Sequence, residues 1–379
     1  MKGPTVLASN VGSSSLKLAL YADPDATGWQ LQQSASFSGP PAKLAKSLAT
    51  WLDDHPAPGA VLHRVVHAGA VTEQAAPIDA ALIERIQHWL PLAPDHNTRV
   101  LEHIALIADL YPDCMQFAVY DSGLFADLPA EATRFALPEA LSERWPVRRY
   151  GFHGLAHRNQ WRQVEQSAGR ERRPCRRVLT LQLGSGCSVT AWLNGEVADT
   201  SMGFTPLGGL TMARRAGDLD PGILLHLLKN ERWRTSRVER LLMQNAGLAA
   251  LGGHDGDFSA ILQEAQEGVG DSSAAEAIRH YCYQLCKTVG GFMTVLSGLD
   301  AISFGGGVGE NSPLVRGAVA TGLAFMGVKL NAAANSQAQV AEGSAQAVAL
   351  HAADSTVAVY LTPVNEMDEM IRQYGALNN

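Results

Sequence analysis

Residues 5–21 read TVLASNVGSSSLKLALY, and residues 178–193 read VLTLQLGSGCSVTAWL. Each segment is an apolar run, a turn of small residues, and a second run that alternates aliphatic or β-branched residues with polar ones. This pattern predicts two β-hairpins. Glycine and serine turns let backbone N–H groups and hydroxyls approach phosphate oxygens closely. Two such hairpins, about half a chain apart, predict a pair of similar halves that hold a nucleotide between them.

Helical patterns separate further strands outside the two hairpins. Helices are predicted where apolar residues recur every three to four positions, and strands where apolar runs are short: helices over 79–90, 99–110 and 274–298, strands over 61–66, 116–120, 301–304 and 357–362. Alternating strands and helices predict α/β layers. The glycine-rich segment 304–313 follows a strand, but its spacing matches neither G-x-G-x-x-G nor G-x-x-x-x-G-K-[ST]. A dinucleotide-binding dehydrogenase and a P-loop protein are therefore disfavoured.

The composition of the chain excludes several classes of protein. It has 379 residues, 46% of them hydrophobic, which suits roughly two domains and is too apolar for a disordered chain. Its 37 acidic and 30 basic residues give a net charge of −7, so nucleic acid is not an expected partner. No apolar run reaches the ~18 residues of a membrane helix, and the first residues lack the apolar core of a signal peptide. We therefore expect a soluble, cytoplasmic protein with no membrane partner.

Several short motifs occur in a fixed order between Asn10 and Glu366. They are NVGSSSLK at 10–17, HRVVH at 63–67, LAPDHN at 92–97, YGFHG at 150–154, DTSMGFTPL at 199–207, GD at 217–218 and GGVGENS at 306–312. Together they resemble the acetate kinase family, which includes propionate kinases. The resemblance implies an α/β fold of two duplicated actin-like (ribonuclease H-like) domains with a nucleotide cleft between them. We expect residues 1–125 and 368–379 to form the first domain, and residues 126–367 the second, which binds nucleotide and dimerises.

The same resemblance implies a reaction. A short-chain carboxylate, acetate or propionate, would be phosphorylated reversibly by ATP and Mg²⁺ through direct in-line transfer, in a homodimer. Arg64 and Arg215 match the two active-site arginines, whose guanidinium groups stay charged and donate paired hydrogen bonds to carboxylate and phosphoryl oxygens. The other positions that match catalytic residues are His96, Asp121 and His153. Asn10 and Glu366 match the magnesium side of the site, and so small a ligand set suits an ion that keeps several waters.

Substrate and nucleotide contacts follow from the resemblance in the same way. The acyl group would contact Val66, Asp95, Phe152 and Pro206. The phosphates and the nucleoside would contact Ser13, Ser15, Lys17, Gly184, Ser185, Gly186, Asp257, Gly306, Gly307, Val308 and Asn311. The remaining histidines near these motifs, His63, His67 and His157, are expected to be structural.

Departures from the family pattern keep alternatives open. Asp95 stands where the family has an apolar residue in the acyl pocket, and a carboxylate about 5 Å from a substrate carboxylate costs on the order of 3 kcal/mol. A larger or hydroxylated acid is therefore an alternative acceptor. Gln182, Ser185 and Ser259 depart from the pattern on the nucleotide side, which leaves another donor such as pyrophosphate open. A non-catalytic nucleotide-binding switch is the alternative of another class, although such a protein needs no residues around the transferred group.

Overall fold

The computed structural model describes residues 5–12, 15–23, 28–39, 41–55, 57–71, 74–143, 146–267, 272–340 and 346–377. Its strands are β1 (Thr5–Val11), β2 (Ser15–Ala22), β3 (Gln30–Ser38), β4 (Ala60–Val65), β5 (Ala75–Pro77), β6 (Met115–Tyr120), β7 (Arg177–Leu183), β8 (Cys187–Leu193), β9 (Glu196–Thr200), β10 (Ala301–Gly305), β11 (Val348–Ala349) and β12 (Ala358–Leu361). Its α-helices are α1 (Pro41–Asp53), α2 (Ala80–His88), α3 (Pro94–Leu110), α4 (Ala130–Thr133), α5 (Gly154–Glu171), α6 (Pro221–Lys229), α7 (Thr235–Gln244), α8 (Leu248–Gly252), α9 (Phe258–Glu267), α10 (Ser273–Val295), α11 (Gly306–Asn311), α12 (Pro313–Gly322), α13 (Ala332–Gln337) and α14 (Glu366–Leu377).

The strands of the described residues form two six-stranded sheets built on one plan. The first sheet has the order β3-β2-β1-β4-β6-β5 and the second β11-β12-β10-β7-β8-β9. In each, a hairpin (β1 with β2, β7 with β8) continues through its first strand into two parallel neighbours, β4 and β6 in one sheet and β10 and β12 in the other. The predicted hairpins and the predicted α/β fold of two similar halves are confirmed.

Sequence patterns explain where these elements lie. The inner strands of each sheet are buried along most of their length, as expected for parallel strands covered by helices on both faces. Side-chain caps set the start of two predicted helices: Asp79 accepts from the backbone N–H of Leu82 at 2.8 Å, and Ser272 from that of Ala275 at 3.2 Å. The predicted helices over 79–90, 99–110 and 274–298 correspond to α2, α3 and α10.

The last helix returns to the first sheet. Met370, Ile371 and Tyr374 of α14 pack in one apolar cluster with Val6 and Tyr21 of that sheet. We therefore propose the domain division stated above, in which the C-terminal helix belongs to the N-terminal domain.

Two further observations concern the helices and the cysteines. No helix in the described part of the chain is long and apolar enough to cross a membrane. All five cysteines are free thiols. Burial raises the pKa of both Cys187 and Cys282 to about 12, so these two thiols stay protonated and act as small apolar side chains.

Candidate active site

Three adjacent parallel strands of the first sheet end at one edge and bring Asn10, Arg64 and Asp121 together. β1 pairs with β4 and β4 with β6, and functional groups in such sheets gather at the carboxyl ends of the strands. Arg64 Nη2 donates to Asp121 Oδ2 at 2.9 Å, and Arg64 Nη1 donates to Asn10 Oδ1 at 3.3 Å and to Glu366 Oε2 at 3.4 Å. Asn10 Nδ2 also donates to Glu366 Oε2, at 2.5 Å. The guanidinium of β4 therefore holds side chains from the ends of its two neighbouring strands and from the last helix.

The ion pair between Arg64 and Asp121 is largely removed from solvent, with side chains 14% and 1% exposed. Burial alone would lower the pKa of Arg64, but the carboxylates of Asp121 and Glu366 raise it above its ordinary value. Burial alone would raise the pKa of Asp121, but the Arg64 guanidinium and His153 hold it below its usual range. Both groups are charged at pH 7, so an anion that enters in front of Arg64 meets a fixed positive charge.

His153 lies just before α5 with φ of +61°, a left-handed backbone. Its backbone N–H donates to Asp121 Oδ2 at 2.8 Å, which ties the imidazole to the ion pair. The ring faces Gly186, where a Cβ atom would lie 2.9 Å from Cε1 and 3.0 Å from Nε2. Burial lowers the pKa of His153 to about 4. The positive charges of Arg64 and Arg215 also lower this pKa, whereas the Asp121 carboxylate raises it. The imidazole is therefore neutral at pH 7 beside two cationic groups.

A polar cavity of about 290 Å³ gathers most of the residues that the sequence predicts for catalysis. Its predicted lining residues are Asn10, Ser15, Lys17, Arg64, His96, His153, Gly184, Ser185, Gly186, Arg215 and Glu366. Asp121 lies behind Arg64 and is buried. Ser13 lies outside the described residues. Residues far apart in sequence, from both hairpins and both sheets, therefore converge on one space.

A second cavity, of about 460 Å³, continues from the polar one through Gly184 and Ser185, which line both. Besides these two, four more predicted nucleotide contacts line it: Asp257, Gly307, Val308 and Asn311. Gly306 has φ of +74°, and a Cβ atom there would lie 2.6 Å from the Leu183 carbonyl oxygen, so the turn requires glycine. Phe258 and Leu262 add an apolar wall that the sequence analysis did not assign.

The predicted acyl-binding residues fall into two groups. Pro206 lines a third, mainly apolar cavity of about 280 Å³, which shares His96 and Arg215 with the polar cavity. Val66 and Phe152 are buried in a core cluster and are not among the residues that line these three cavities. The Asp95 side chain lies outside the described part of the structure, although its backbone belongs to α3.

The residues around Arg64 fit a magnesium ion that uses few protein ligands. Among the described residues, Asp121 Oδ1 is buried without a hydrogen-bond partner, and Asn10 and Arg64 both donate to Oε2 of the Glu366 carboxylate. No group of three or more acidic, histidine or cysteine side chains suited to a metal occurs in the described residues. Magnesium in phosphoryl-transfer sites takes one or two carboxylates together with waters and substrate phosphates. Carboxylate oxygens at Asp121 and Glu366 are compatible with that pattern.

Two side chains near the site were not predicted as site residues. Gln182 lines the polar cavity from the end of β7. Glu310 lies behind the glycine-rich turn, where its Oε1 accepts from the backbone N–H groups of Gly306 at 3.0 Å and Val364 at 3.1 Å. Glu310 thereby links the nucleotide turn to the segment that leads into Glu366. The position of Glu310 inside the motif GGVGENS was the sequence feature that could have identified it as a site residue.

Buried histidines predict a pH dependence of stability. Burial lowers the pKa of His63 to about 3 and that of His67, His103 and His153 to about 4, against an ordinary value of 6.5. Between those values the unfolded chain binds more protons than the folded one, so the free energy of unfolding falls as pH drops below 6.5. The slope is up to about 1.4 kcal/mol per pH unit per histidine.

Urea unfolding at pH 7.5 and pH 5.0 tests this expectation. The protein should be several kcal/mol less stable at pH 5.0, and the variant His63→Gln, which removes one buried titrating ring, should lose less stability over the same interval. Equal free energies of unfolding at the two pH values would contradict it.

The chain is similar to acetate and propionate kinases in both sequence and structure. A family model described as the Acetokinase family matches residues 44–373. The acetate kinase of Ectopseudomonas mendocina is 36% identical over 360 residues, 89% of this chain and 91% of that protein. The acetate kinase of Micrococcus luteus is 34% identical over 393 residues, 97% of each chain. A propionate kinase structure from Francisella tularensis superposes with a TM-score of 0.83 at 29% identity and 98% coverage of both chains. An acetate kinase structure from Porphyromonas gingivalis gives 0.81 at 28% identity and 99% coverage of both.

The fold and the cleft define a two-domain phosphotransferase of the actin-like class, in which the polar cavity meets the second cavity, where predicted nucleotide contacts lie. The chain belongs to the acetokinase family. It is a kinase that phosphorylates a carboxyl group with ATP.

Proposed function

We propose that the acceptor is a short carboxylate such as acetate or propionate, and that Arg64, Arg215 and His153 surround the phosphoryl group as it passes to that acceptor. The observation that carries the proposal is the joining of two cavities. The polar cavity contains all three side chains, and it continues through Gly184 and Ser185 into the nucleotide cavity. A nucleotide bound there would direct its terminal phosphate at the polar cavity.

Transfer between two anionic oxygens depends on alignment and charge neutralisation more than on covalent help from the protein. Arg64 is oriented by Asp121, Asn10 and Glu366, so its guanidinium meets the incoming charge without first reorganising. The second cation comes from Arg215, whose Nη1 donates to the Pro206 carbonyl oxygen at 3.4 Å at the entrance to the apolar cavity. We assign the binding of the acceptor carboxylate to this arginine.

The remaining roles follow from position. His153 and His96 would donate to phosphoryl oxygens, while Ser15, Lys17 and the glycine turn at 184–186 would hold the donor phosphates. Asn10 and Glu366, with Asp121 behind them, would hold magnesium. When bound, magnesium neutralises phosphate charge and orients the donor. Asp257, Gly306, Gly307, Val308 and Asn311 would surround the nucleoside.

The proposal is tested by trapping acyl phosphate with hydroxylamine in reactions containing acetate or propionate, ATP and magnesium. We expect acyl hydroxamate and ADP in equal amounts, and none of either after chelation of magnesium. Turnover with pyrophosphate in place of ATP would indicate the alternative donor. Tight ATP binding without acyl phosphate from any carboxylate would contradict a kinase and favour a nucleotide-binding switch.

We also propose that the protein is a homodimer and that α6 lies in the interface. None of the α6 side chains is buried, although the helix is mostly apolar, and Ile223 and Leu225 are 47% and 52% exposed. An exposed apolar helix face of this kind marks a protein interface, and closed twofold dimers are the commonest assembly. The free thiols and the ATP donor are in keeping with the cytoplasmic location expected from the sequence.

Replacing Leu225 with glutamate is expected to separate the dimer, because a charge would be buried without a partner in an apolar interface. Sedimentation velocity at micromolar concentration should give a dimer for the unmodified protein and a monomer for Leu225→Glu. Leu110→Glu, at a comparably exposed position on α3, is the matched control and should remain dimeric. Identical sedimentation of both variants would contradict an interface at α6.

A further inference from the structure

The apolar cavity beside the active site is larger than an acetate methyl group needs. Its volume of about 280 Å³ corresponds to roughly nine water molecules at ~30 Å³ each. It meets the polar cavity at His96 and Arg215. A carboxylate held at that junction would have phosphoryl groups on one side and an apolar space on the other.

We propose that this cavity receives the alkyl chain of a longer acceptor, an aliphatic monocarboxylate of about four to six carbons. The inference rests on the proposed function, since it assumes that the carboxylate is bound at Arg215. The walls are supplied by both halves of the protein: Leu92 precedes α3, while Leu228 lies on α6 and Val238 and Leu242 on α7.

The chemistry of the walls selects the class of acid. Apart from His96 and Arg215 at the junction, the charged residue among the described lining residues is Glu239, which is exposed at the rim. Burying an alkyl chain against the apolar side chains of this lining is favourable, whereas a second carboxylate would be desolvated there without a cation beyond Arg215 among the described lining residues. The cavity therefore favours aliphatic monocarboxylates over dicarboxylates.

The test is a homologous series of acids, acetate to hexanoate, in the hydroxylamine assay. We expect kcat/KM to rise by up to about fourfold per methylene beyond propionate until the cavity is filled. Leu242→Trp, which fills the cavity, should lower the ratio of hexanoate to acetate kcat/KM at least tenfold, and Val238→Phe should act in the same direction. Leu110→Trp, on an exposed part of α3, is the control and should leave the ratio unchanged.

The outcomes separate this inference from the function on which it rests. Turnover of acetate with no gain for longer acids, or a ratio that Leu242→Trp does not change, would overturn the cavity assignment and leave the carboxylate kinase intact. Failure to phosphorylate any acid would instead contradict the proposed acceptor. A thermal melt of each variant identifies any loss of folding.

A second, independent observation concerns a chain of buried hydrogen bonds behind His153. Ser188 Oγ lies 2.9 Å from His153 Nδ1 and 2.7 Å from His157 Nε2. His157 Nδ1 lies 2.8 Å from Thr180 Oγ1. Trp192 Nε1 donates to the same Thr180 oxygen at 2.9 Å. The four side chains behind His153 are fully buried.

Trp192, at the far end of these hydrogen bonds, determines which atom donates in each of them. Indole N–H groups only donate, so Thr180 accepts from Trp192. Among the described residues, the Thr180 hydroxyl then has one acceptor for its own proton, His157 Nδ1. His157 must carry its proton on Nε2 and donate to Ser188, and Ser188 must donate to His153 Nδ1. The opposite direction would leave the Thr180 proton buried without an acceptor, which is costly.

We infer that Ser188, His157, Thr180 and Trp192 are positioning residues that keep the proton of His153 on Nε2. That nitrogen lies beside Gly186 at the polar cavity, so the neutral ring presents a donor to phosphoryl oxygens and not a lone pair. A His153 protonated on Nδ1 would repel those oxygens.

Nitrogen-15 NMR of protein labelled at histidine tests the inference at pH 8. We expect the two ring nitrogens of His153 to have the shifts of the Nε2–H tautomer. In Thr180→Val they should move towards a tautomer mixture, with kcat lowered by up to about tenfold and KM little changed. Thr180→Ser, which restores the hydroxyl, should recover both. An Nδ1–H shift in the unmodified protein, or equal kcat for the valine and serine variants, would overturn it.

Discussion

Replacing Arg64 with lysine is expected to lower kcat about 10²- to 10³-fold, the range seen when a preorganised donor to a transition-state charge is removed. The guanidinium donates to Asp121 through one terminal nitrogen and to Asn10 and Glu366 through the other. A lysine ammonium keeps the charge but is a single point donor, and it cannot reproduce this planar arrangement. Steady-state kinetics in the hydroxylamine assay measure the loss.

Arg64→Gln is also expected to lower the free energy of unfolding, because the Asp121 carboxylate, whose side chain is 1% exposed, would lose its cation. Breaking a buried ion pair on one side costs about 3 kcal/mol. Arg214→Lys is the matched control: that arginine pairs with exposed Asp255 at the surface, so both kcat and stability should stay close to those of the unmodified protein. Retention of more than a tenth of kcat in Arg64→Lys would contradict the assigned role.

Gly186→Ala is expected to lower kcat about 10²-fold through displacement of His153. A Cβ atom at this position would lie 2.9 Å from Cε1 of the imidazole, closer than real contacts come, and 3.0 Å from Nε2, tighter than most. The ring is hydrogen-bonded to Ser188 through Nδ1, and the His153 backbone N–H donates to Asp121. An added methyl group therefore displaces the ring from its place at the cavity. Misplacement of a catalytic group by about 1 Å is enough for a loss of this size.

Gly290→Ala provides the control for that substitution. Gly290 lies within α10, where an added Cβ atom meets nothing within 4 Å. Alanine there should stabilise the protein by about 0.5–1 kcal/mol and leave kcat unchanged, since alanine is the better helix former. If Gly186→Ala and Gly290→Ala have the same kcat, His153 does not act where we place it.

Local patterns were sufficient to predict an α/β fold with two similar halves, and its actin-like form was implied by the resemblance to a family. The two hairpins stand out because glycine and serine interrupt otherwise apolar strands, and the structure has them as β1 with β2 and β7 with β8. Arg64 follows an apolar run and therefore had to lie near a strand end. The resemblance to a family supplied Arg215, Pro206 and Glu366, whose positions depend on how the chain crosses between sheets.

Features built from distant residues could not be predicted. Ser188 and Thr180 belong to strands with ordinary alternation, and nothing in their spacing indicates that His157 lies between them. The apolar cavity needs Leu92 from one half and Leu242 from the other, so no single segment contains its pattern. Hydrogen bonds and cavities of this kind depend on tertiary packing, which sequence periodicity does not encode.

The convergence of Arg64, Arg215 and His153 on the transferred group is tested most directly by a crystal structure with ADP, aluminium fluoride and acetate, a planar mimic of the phosphoryl group in transit. We expect the aluminium fluoride in the polar cavity, with its fluorines within hydrogen-bond distance of both guanidinium groups and of His153 Nε2. A mimic bound elsewhere in the cleft, or one that contacts none of the three side chains, would contradict the assignment.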